Sequence, residues 1–164
     1  MRYIISIGTN MGERESNIRG ALEALSLLPK TQVLRASSLY ETEPVGYENQ
    51  QDFYNALAEL ESAFTPNEML GACLGIEAGF GRVRGIKNGP RILDLDVILA
   101  KGVSLDEENL ILPHPRYTER RFILEPLLEL FPQGSAYGVE FLPYIERLTG
   151  QDIRKIKDLK ETVL

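Results

Sequence analysis

Asp94 and Asp96 are the side chains of this sequence with the most chemistry to offer. They stand in the run Gly89-Pro90-Arg91-Ile92-Leu93-Asp94-Leu95-Asp96-Val97-Ile98-Leu99. Leu93, Leu95, Val97 and Leu99 alternate with Ile92, Asp94, Asp96 and Ile98, the period of a β-strand, whose successive side chains point to opposite faces. Both carboxylates therefore share a face, their Cα atoms roughly 6.6 Å apart at a rise of ~3.3 Å per residue. Carboxylates inside an apolar strand are costly unless something compensates them. A Mg²⁺ ion is a simple compensator, since it takes one or two protein carboxylates and fills its other positions with water and phosphate oxygens. On the Asp-x-Asp spacing alone, an edge strand with both aspartates in water stays open as the alternative.

Upstream lie Gly81-Arg82-Val83-Arg84-Gly85 and then Arg91, so three arginines precede the two aspartates. The guanidinium fork matches phosphate oxygens. Metal-binding carboxylates beside an arginine clamp suit phosphoryl-type transfer, in which a protein mainly positions and neutralises. A solvated loop making salt bridges is the plainer reading of the arginines.

The 164 residues predict one domain, 1–164, able to bury about two-thirds of its unfolded surface. Hydrophobic residues at 43% and charged residues at 26% are ordinary for a globular chain. A net charge of −6 disfavours general nucleic-acid binding and implies that the basic residues act locally. Cys73 is the only cysteine, which excludes an intrachain disulfide and a cysteine metal site. Neither a signal-peptide pattern nor a membrane-length apolar run is present, so a cytoplasmic, monomeric protein without membrane contact is expected.

The elements that must position these groups follow from periodicity. Tyr3–Gly8 reads as a central strand, ending in the turn cluster Gly8-Thr9-Asn10-Met11-Gly12. Glu13–Leu28 reads as a helix with Ile18, Ala21, Leu22, Leu25 and Leu28 on one face. Thr31–Tyr40 reads as a second strand, residues 41–52 as a long loop, and Phe53–Ser62 as a third strand. On that third strand Asn55 is either a satisfied core amide or a ligand contact. Thr65-Pro66-Asn67-Glu68 is a capping box that opens a helix to about Phe80, with Leu70, Cys73, Leu74 and Phe80 as its apolar stripe. Glu77 falls in that stripe, either at its exposed edge or aimed at a ligand. With the aspartate strand the order is β-α-β-β-α-β, which predicts a ferredoxin-like antiparallel sheet with two helices on one face and the aspartates on the other. Further on, His114, the only histidine, sits between two prolines and is either structural or functional. Arg120-Arg121-Phe122 opens another helix, a last helix covers about Glu140–Leu148, and Gln151–Leu164 reads as a loosely held tail.

Taken together, Gly8-Thr9-Asn10-Met11-Gly12, Tyr40-Glu41-Thr42-Glu43-Pro44-Val45-Gly46, Phe53-Tyr54-Asn55-Ala56, Gly81-Arg82-Val83-Arg84, Gly89-Pro90-Arg91-Ile92-Leu93-Asp94-Leu95-Asp96 and Pro113-His114, in this order, resemble the 6-hydroxymethyl-7,8-dihydropterin pyrophosphokinase family over roughly residues 1–150. The resemblance implies a ferredoxin-like α+β fold with additional C-terminal helices. It also implies transfer of the β,γ-diphosphate of ATP to the pterin hydroxymethyl group, releasing AMP, in folate biosynthesis. By the same resemblance, Asp94 and Asp96 hold two Mg²⁺ ions, and Arg82 and Arg91 neutralise charge at the β-phosphorus. Arg84, His114 and Arg120 contact ATP phosphates, while Leu70, Leu74, Glu77 and Val97 line the adenosine site. Thr42, Val45, Phe53, Asn55 and Phe122 form the pterin pocket, where Asn55 reads the ring edge and Phe122 stacks. The sequence departs from many members at Gly85, where they carry a basic residue, at Asn88, where they carry an aromatic, and at Asn109, where some carry arginine.

Two rivals remain at the level of sequence. An ATP-binding ferredoxin-like module without chemistry has no need of paired carboxylates aligned with three arginines. An RNA-binding sheet of the same topology displays aromatics on a basic surface, where this chain has aspartates and net negative charge.

Overall fold

The computed structural model describes residues 1–44, 46–47, 49–83, 85 and 87–159. Among these described residues, ten strands and four α-helices follow in chain order. The first are β1 (Arg2–Thr9), α1 (Arg14–Ser26), β2 (Thr31–Ala36), β3 (Leu39–Thr42), β4 (Phe53–Ser62), α2 (Pro66–Gly79) and β5 (Asp94–Ala100). Short pieces come next: β6 (Leu105–Asp106) and β7 (Ile111–Leu112), then a single 3₁₀ turn, Tyr117–Glu119, before α3 (Arg121–Leu130). The chain closes with β8 (Ser135–Ala136), β9 (Val139–Glu140), α4 (Leu142–Arg147) and β10 (Ile153–Lys157).

The main sheet is antiparallel, in the order β10-β3-β4-β1-β5, with β2 also on β4. This is the ferredoxin-like arrangement expected from the β-α-β-β-α-β order. The ten-residue β4 is its spine. Its first half pairs with β3 (Thr42 opposite Phe53) and its second half with β2 (Thr31 opposite Ser62). Thr31–Tyr40, expected as one strand, is thus two. The break falls at Ser37-Ser38, where Ser37 Oγ accepts the Leu57 N–H (2.8 Å) and Ser38 N donates to the Glu129 carboxylate (3.0 Å). Serine hydroxyls compete with the ladder for backbone partners and here divert it.

Side-chain alternation gives the sheet two cores. Tyr3, Ile5 and Ile7 of β1, Ala56, Ala58 and Leu60 of β4 and Leu95 and Val97 of β5 face α1 and α2, which bury Ile18, Leu22, Leu25, Met69 and Cys73 against them. On the other face Ile4, Leu57, Ile98 and Leu99 are covered by Ile123, Leu124 and Leu127 of α3. Helix α2 starts on the expected capping box: Thr65 Oγ1 accepts from Glu68 N (3.2 Å) and Glu68 Oε1 accepts from Thr65 N (2.8 Å). Its buried stripe is Met69, Cys73 and Glu77, and Leu74 is 43% exposed, so the stripe is rotated from the expected one.

The segment after Gln151 is also different from the reading of a loose tail. Ile153–Lys157 adds to the sheet as β10, with Ile153 opposite Thr42, and Leu159 is fully buried. The sequence there is mostly charged, but β3 offers an unpaired edge, and a strand satisfies that edge at the cost of only a few ordered residues. Arg154 pairs with Glu41, and Lys157 with Glu15 on α1 (2.9 Å). Among the described residues no helix is long and apolar enough to cross a membrane.

Candidate active site

Helix α3 covers one end of its sheet face and leaves the other end open. At the open end two rows of residues cross three strands. Register places Asp94 of β5 opposite Gly8 of β1, and Gly8 opposite Asn55 of β4; Asp96 lies opposite Ser6, and Ser6 opposite Leu57. Gly8 is where a side chain would obstruct the row, since a Cβ there would come 3.1 Å from Asn55 Oδ1. Over this floor opens a cavity of about 300 Å³. Thr42, Phe53 and Asn55 line one side, Arg91 and Asp94 another, and Arg120 and Phe122 at the start of α3 close it.

The arginines converge on Asp94. Arg82 donates to its Oδ1 (2.6 Å) and Arg91 to its Oδ2 (3.0 Å). Arg82 is held in turn by Glu77, whose Oε2 accepts from Arg82 Nη1 (2.7 Å) and from the Leu95 N–H (2.7 Å). Glu77 is therefore not an exposed stripe edge. It is buried between α2 and the outer edge of β5, tying the helix to the strand that carries the aspartates. Burial raises its carboxyl above the ordinary range against the pull of the Leu95 N–H and Arg82.

Asp96 has the opposite environment. Burial first, and then the neighbouring Asp94 carboxylate, push its carboxyl up to about 7, with the guanidiniums of Arg120 and Arg91 opposing. Two carboxylates one row apart, one of them short of positive charge, fit a divalent cation. Among the described residues no group of three or more His, Cys, Asp or Glu side chains could enclose one. The donor set suits an oxygen-seeking ion that keeps water and substrate oxygens, as Mg²⁺ does, rather than a closed protein cage.

His114 is oriented by the backbone. Its N–H donates to Ile98 O (2.9 Å), and its Nδ1 accepts from Arg116 N (3.2 Å). In a neutral imidazole that acceptor role leaves the proton on Nε2 as a donor. Burial, with Arg120 and Arg116 adding to it, lowers its pKa to about 4, so the ring is neutral at pH 7.

The turn cluster after β1 joins the two loops beside the cavity. Asn10, 2% exposed, donates from N to Arg91 O (3.0 Å) and accepts at Oδ1 from Arg91 N (2.8 Å). Its Nδ2 donates to Gln50 Oε1 (2.8 Å) and Gln51 O (3.0 Å), and Gln50 Nε2 donates to Asn88 O (2.8 Å). Asn88 lines the cavity in a left-handed conformation (φ 58°), which asparagine tolerates better than an aromatic does. On the opposite wall of the cavity, Asn55 Nδ2 donates to Thr42 Oγ1 (2.7 Å), fixing the amide with Oδ1 toward Gly8.

Of the residues singled out in the sequence, Thr42, Phe53, Asn55, Arg91, Asp94, Arg120 and Phe122 meet at the cavity, and Arg82 reaches it through Asp94. Leu70, Leu74 and Val97 do not line it. Val97 is buried in the core under α1 and α2, and Leu70 and Leu74 lie on α2. Val45 and Arg84 lie outside the described residues. Ser6, Glu43, Arg116, Glu119 and Gln151 line the cavity without having been anticipated. Ser6 and Gly8, small or polar at alternate positions of an apolar strand, carried a signal for it; Glu119 and Gln151 carried none.

The profile of the 7,8-dihydro-6-hydroxymethylpterin-pyrophosphokinase (HPPK) family matches residues 4–132. The chain belongs to the HPPK family. It is 42% identical over 129 residues to the 2-amino-4-hydroxy-6-hydroxymethyldihydropteridine pyrophosphokinase of Bacillus subtilis, covering 79% of this chain and 77% of that one. To the Methylorubrum extorquens protein of the same name it is 39% identical over 156 residues, 95% of this chain and 99% of that one. A solved Plasmodium falciparum HPPK-DHPS chain shares the fold (TM-score 0.63, 16% identity, 84% of this chain), and this HPPK chain spans 43% of its length.

Proposed function

We propose that this HPPK chain transfers the β,γ-diphosphate of ATP to the hydroxymethyl group of 6-hydroxymethyl-7,8-dihydropterin in folate biosynthesis. The pterin hydroxyl oxygen bonds to the β-phosphorus, the bond from that phosphorus to the α,β-bridging oxygen breaks, AMP leaves and the hydroxyl proton is lost. One observation carries the reading beyond family membership: Asp94, braced by Arg82 and Arg91, faces Asn55 across the bare backbone of Gly8 on the floor of one cavity.

Roles follow from this arrangement. Asp94 and Asp96 would hold two Mg²⁺ ions, which would supply charge neutralisation for the triphosphate. Arg82 and Arg91 leave Asp94 for the phosphate oxygens and meet the charge that develops at the β-phosphorus. Arg84, Arg120 and the neutral His114 bind phosphates, His114 through Nε2–H. Leu70 and Leu74 flank the adenosine, backed by Val97 from the core, with Glu77 holding the wall of that site rather than touching it. Thr42, Val45, Phe53, Asn55 and Phe122 hold the pterin, the ring stacking on Phe122 and its amide edge meeting Asn55. No covalent intermediate is needed; the lone thiol, Cys73, is fully buried and pushed up to about 12 by burial. We take the enzyme as a cytoplasmic monomer, one pyrophosphokinase domain that contacts neither nucleic acid nor membrane, in keeping with its charge of −6.

The test is to incubate the protein with Mg²⁺, ATP and the reduced pterin and resolve the nucleotides. AMP in equal amount to pterin diphosphate is expected. ADP would overturn the reading in favour of ordinary phosphoryl transfer, and no nucleotide product would favour a binding role.

A further inference from the structure

The segment beyond α4 reaches back to the cavity. Gly150 and Gln151 both have positive φ, 74° and 54°. Glycine takes that conformation freely, whereas glutamine holds it only where its surroundings fix it. Here the side chain is fixed at both ends: Oε1 accepts from Arg121 N (2.9 Å), and Nε2 donates to Glu119 O (3.0 Å). Arg121 is the first residue of α3, and the residue before it, Arg120, provides no side-chain cap. A glutamine 30 positions away thus takes an N–H that the helix leaves unpaired.

The two clamped groups flank Arg120. The Arg120 guanidinium lies 5.6 Å from the centre of the Phe122 ring, and both side chains line the main cavity beside Gln151. Gln151 also borders a side recess of about 230 Å³ with Thr42, Arg121 and Asp152. It therefore stands in the partition between the two spaces. Two residues later Ile153 pairs with Thr42, so β10 anchors the glutamine to the opposite wall of the site.

We propose that Gln151 is a positioning residue for the pterin: it clamps both sides of Arg120 and so sets Arg120 and Phe122 against the cavity, with β10 as the strap that carries it. The proposal rests on the pyrophosphokinase reading above. Gln151 need not touch the reacting atoms; its effect passes through α3.

The experiment compares wild type, Gln151→Ala, Gln151→Glu and Lys157→Ala. Lys157 lies on β10, the strand that follows Gln151, and its ammonium pairs with Glu15, away from the cavity. Pterin affinity is read from the fluorescence of 6-hydroxymethylpterin titrated into protein saturated with an ATP analogue, beside KM for each substrate, kcat and Tm. Gln151→Ala is expected to weaken pterin binding about tenfold, the scale of loss when a positioned group drifts by a fraction of an ångström. KM for ATP should change much less. Gln151→Glu keeps the acceptor for Arg121 N and should recover part of the loss; if Gln151→Ala does not fold, this variant alone carries the comparison with wild type. Wild-type pterin affinity in Gln151→Ala, or an equal loss in Lys157→Ala, would overturn the proposal, since the strand would then only hold the fold. Absence of AMP formation by the wild type would overturn the pyrophosphokinase reading and this proposal with it. AMP formation by the wild type with an unaffected Gln151→Ala overturns this proposal alone.

Discussion

Neighbouring carboxylates on one strand have been given opposite environments. Asp94 is neutralised by two arginines, whereas Asp96, desolvated beside the Asp94 carboxylate, resists ionisation and holds its proton in the absence of a cation. Asp96→Asn should lower kcat by roughly 10²- to 10³-fold, the scale of losing one metal ligand. The same substitution should affect metal-free stability in a pH-dependent way. The folded Asp96 keeps its proton up to about pH 7, and an unfolded aspartate loses it near 3.8. Folding takes up a proton between those values, so this group costs stability increasingly as pH rises from about 4 to 7. Thermal melts in EDTA should show Asp96→Asn more stable than wild type at pH 8 and equal to it near pH 3; equal stability at pH 8 would contradict the assigned environment. His114 is displaced in the other direction. With a folded pKa of about 4 against 6.5 unfolded, it lowers stability as pH falls through that window. As the only histidine, its C2–H proton gives one resonance, expected to stay flat from pH 8 to 5.5 in the free protein. A midpoint near 6.5 would show the ring is not desolvated as described.

At the scale of elements, the decisive junction is α2 against β5. An edge strand leaves every second N–H unpaired, and Glu77 takes that of Leu95 while gripping Arg82. Glu77→Ala strands a buried N–H and frees the arginine, and should cost about 2 kcal/mol in urea unfolding, in the range for hydrogen bonds to charged groups. Glu77→Gln keeps an acceptor for Leu95 and should lose less stability while still lowering kcat, because Arg82 loses its charged partner. Equal kcat in wild type and Glu77→Gln would separate the strut from catalysis. Asn10 plays a similar part between loops, bonded at once to Arg91, Gln50 and Gln51. Asn10→Ala should speed amide exchange at Gln51 and Arg91 together; a change at one alone would mean that the loops move independently.

Across the whole molecule, one sheet supports two cores, α1 and α2 on one side and α3 on the other. Shared strands make the two sides one cooperative unit. Leu57, fully buried under α3, is the central test. Leu57→Ala should cost about 2–5 kcal/mol, as large-to-small core changes do. It should lower one urea transition, not split it; two transitions would mean that the α3 side unfolds separately. The partial cover by α3 also explains why a site exists on this face, for the helix leaves uncovered the end where Asp94, Gly8 and Asn55 line up.

How much of this was legible in the chain depended on whether a feature is local. Alternation through Leu93–Leu99 put Asp94 and Asp96 on one face, the capping box at Thr65 set the start of α2, and the β-α-β-β-α-β order gave the sheet. Each follows from interactions within a few residues, which the sequence by itself determines. Tertiary contacts decided the rest. Glu77 looked like a stripe-edge or ligand residue because its partners, Leu95 N and Arg82, meet it only when β5 docks on α2. Ser37 and Ser38 split a strand because the Leu57 backbone and Glu129 compete for them. Ile153–Lys157 became a strand because β3 had an open edge, which its own charged composition does not reveal. Gln151 entered the site for the same reason: its partners lie 30 residues or more away in sequence, and only the packed chain brings them within hydrogen-bonding distance.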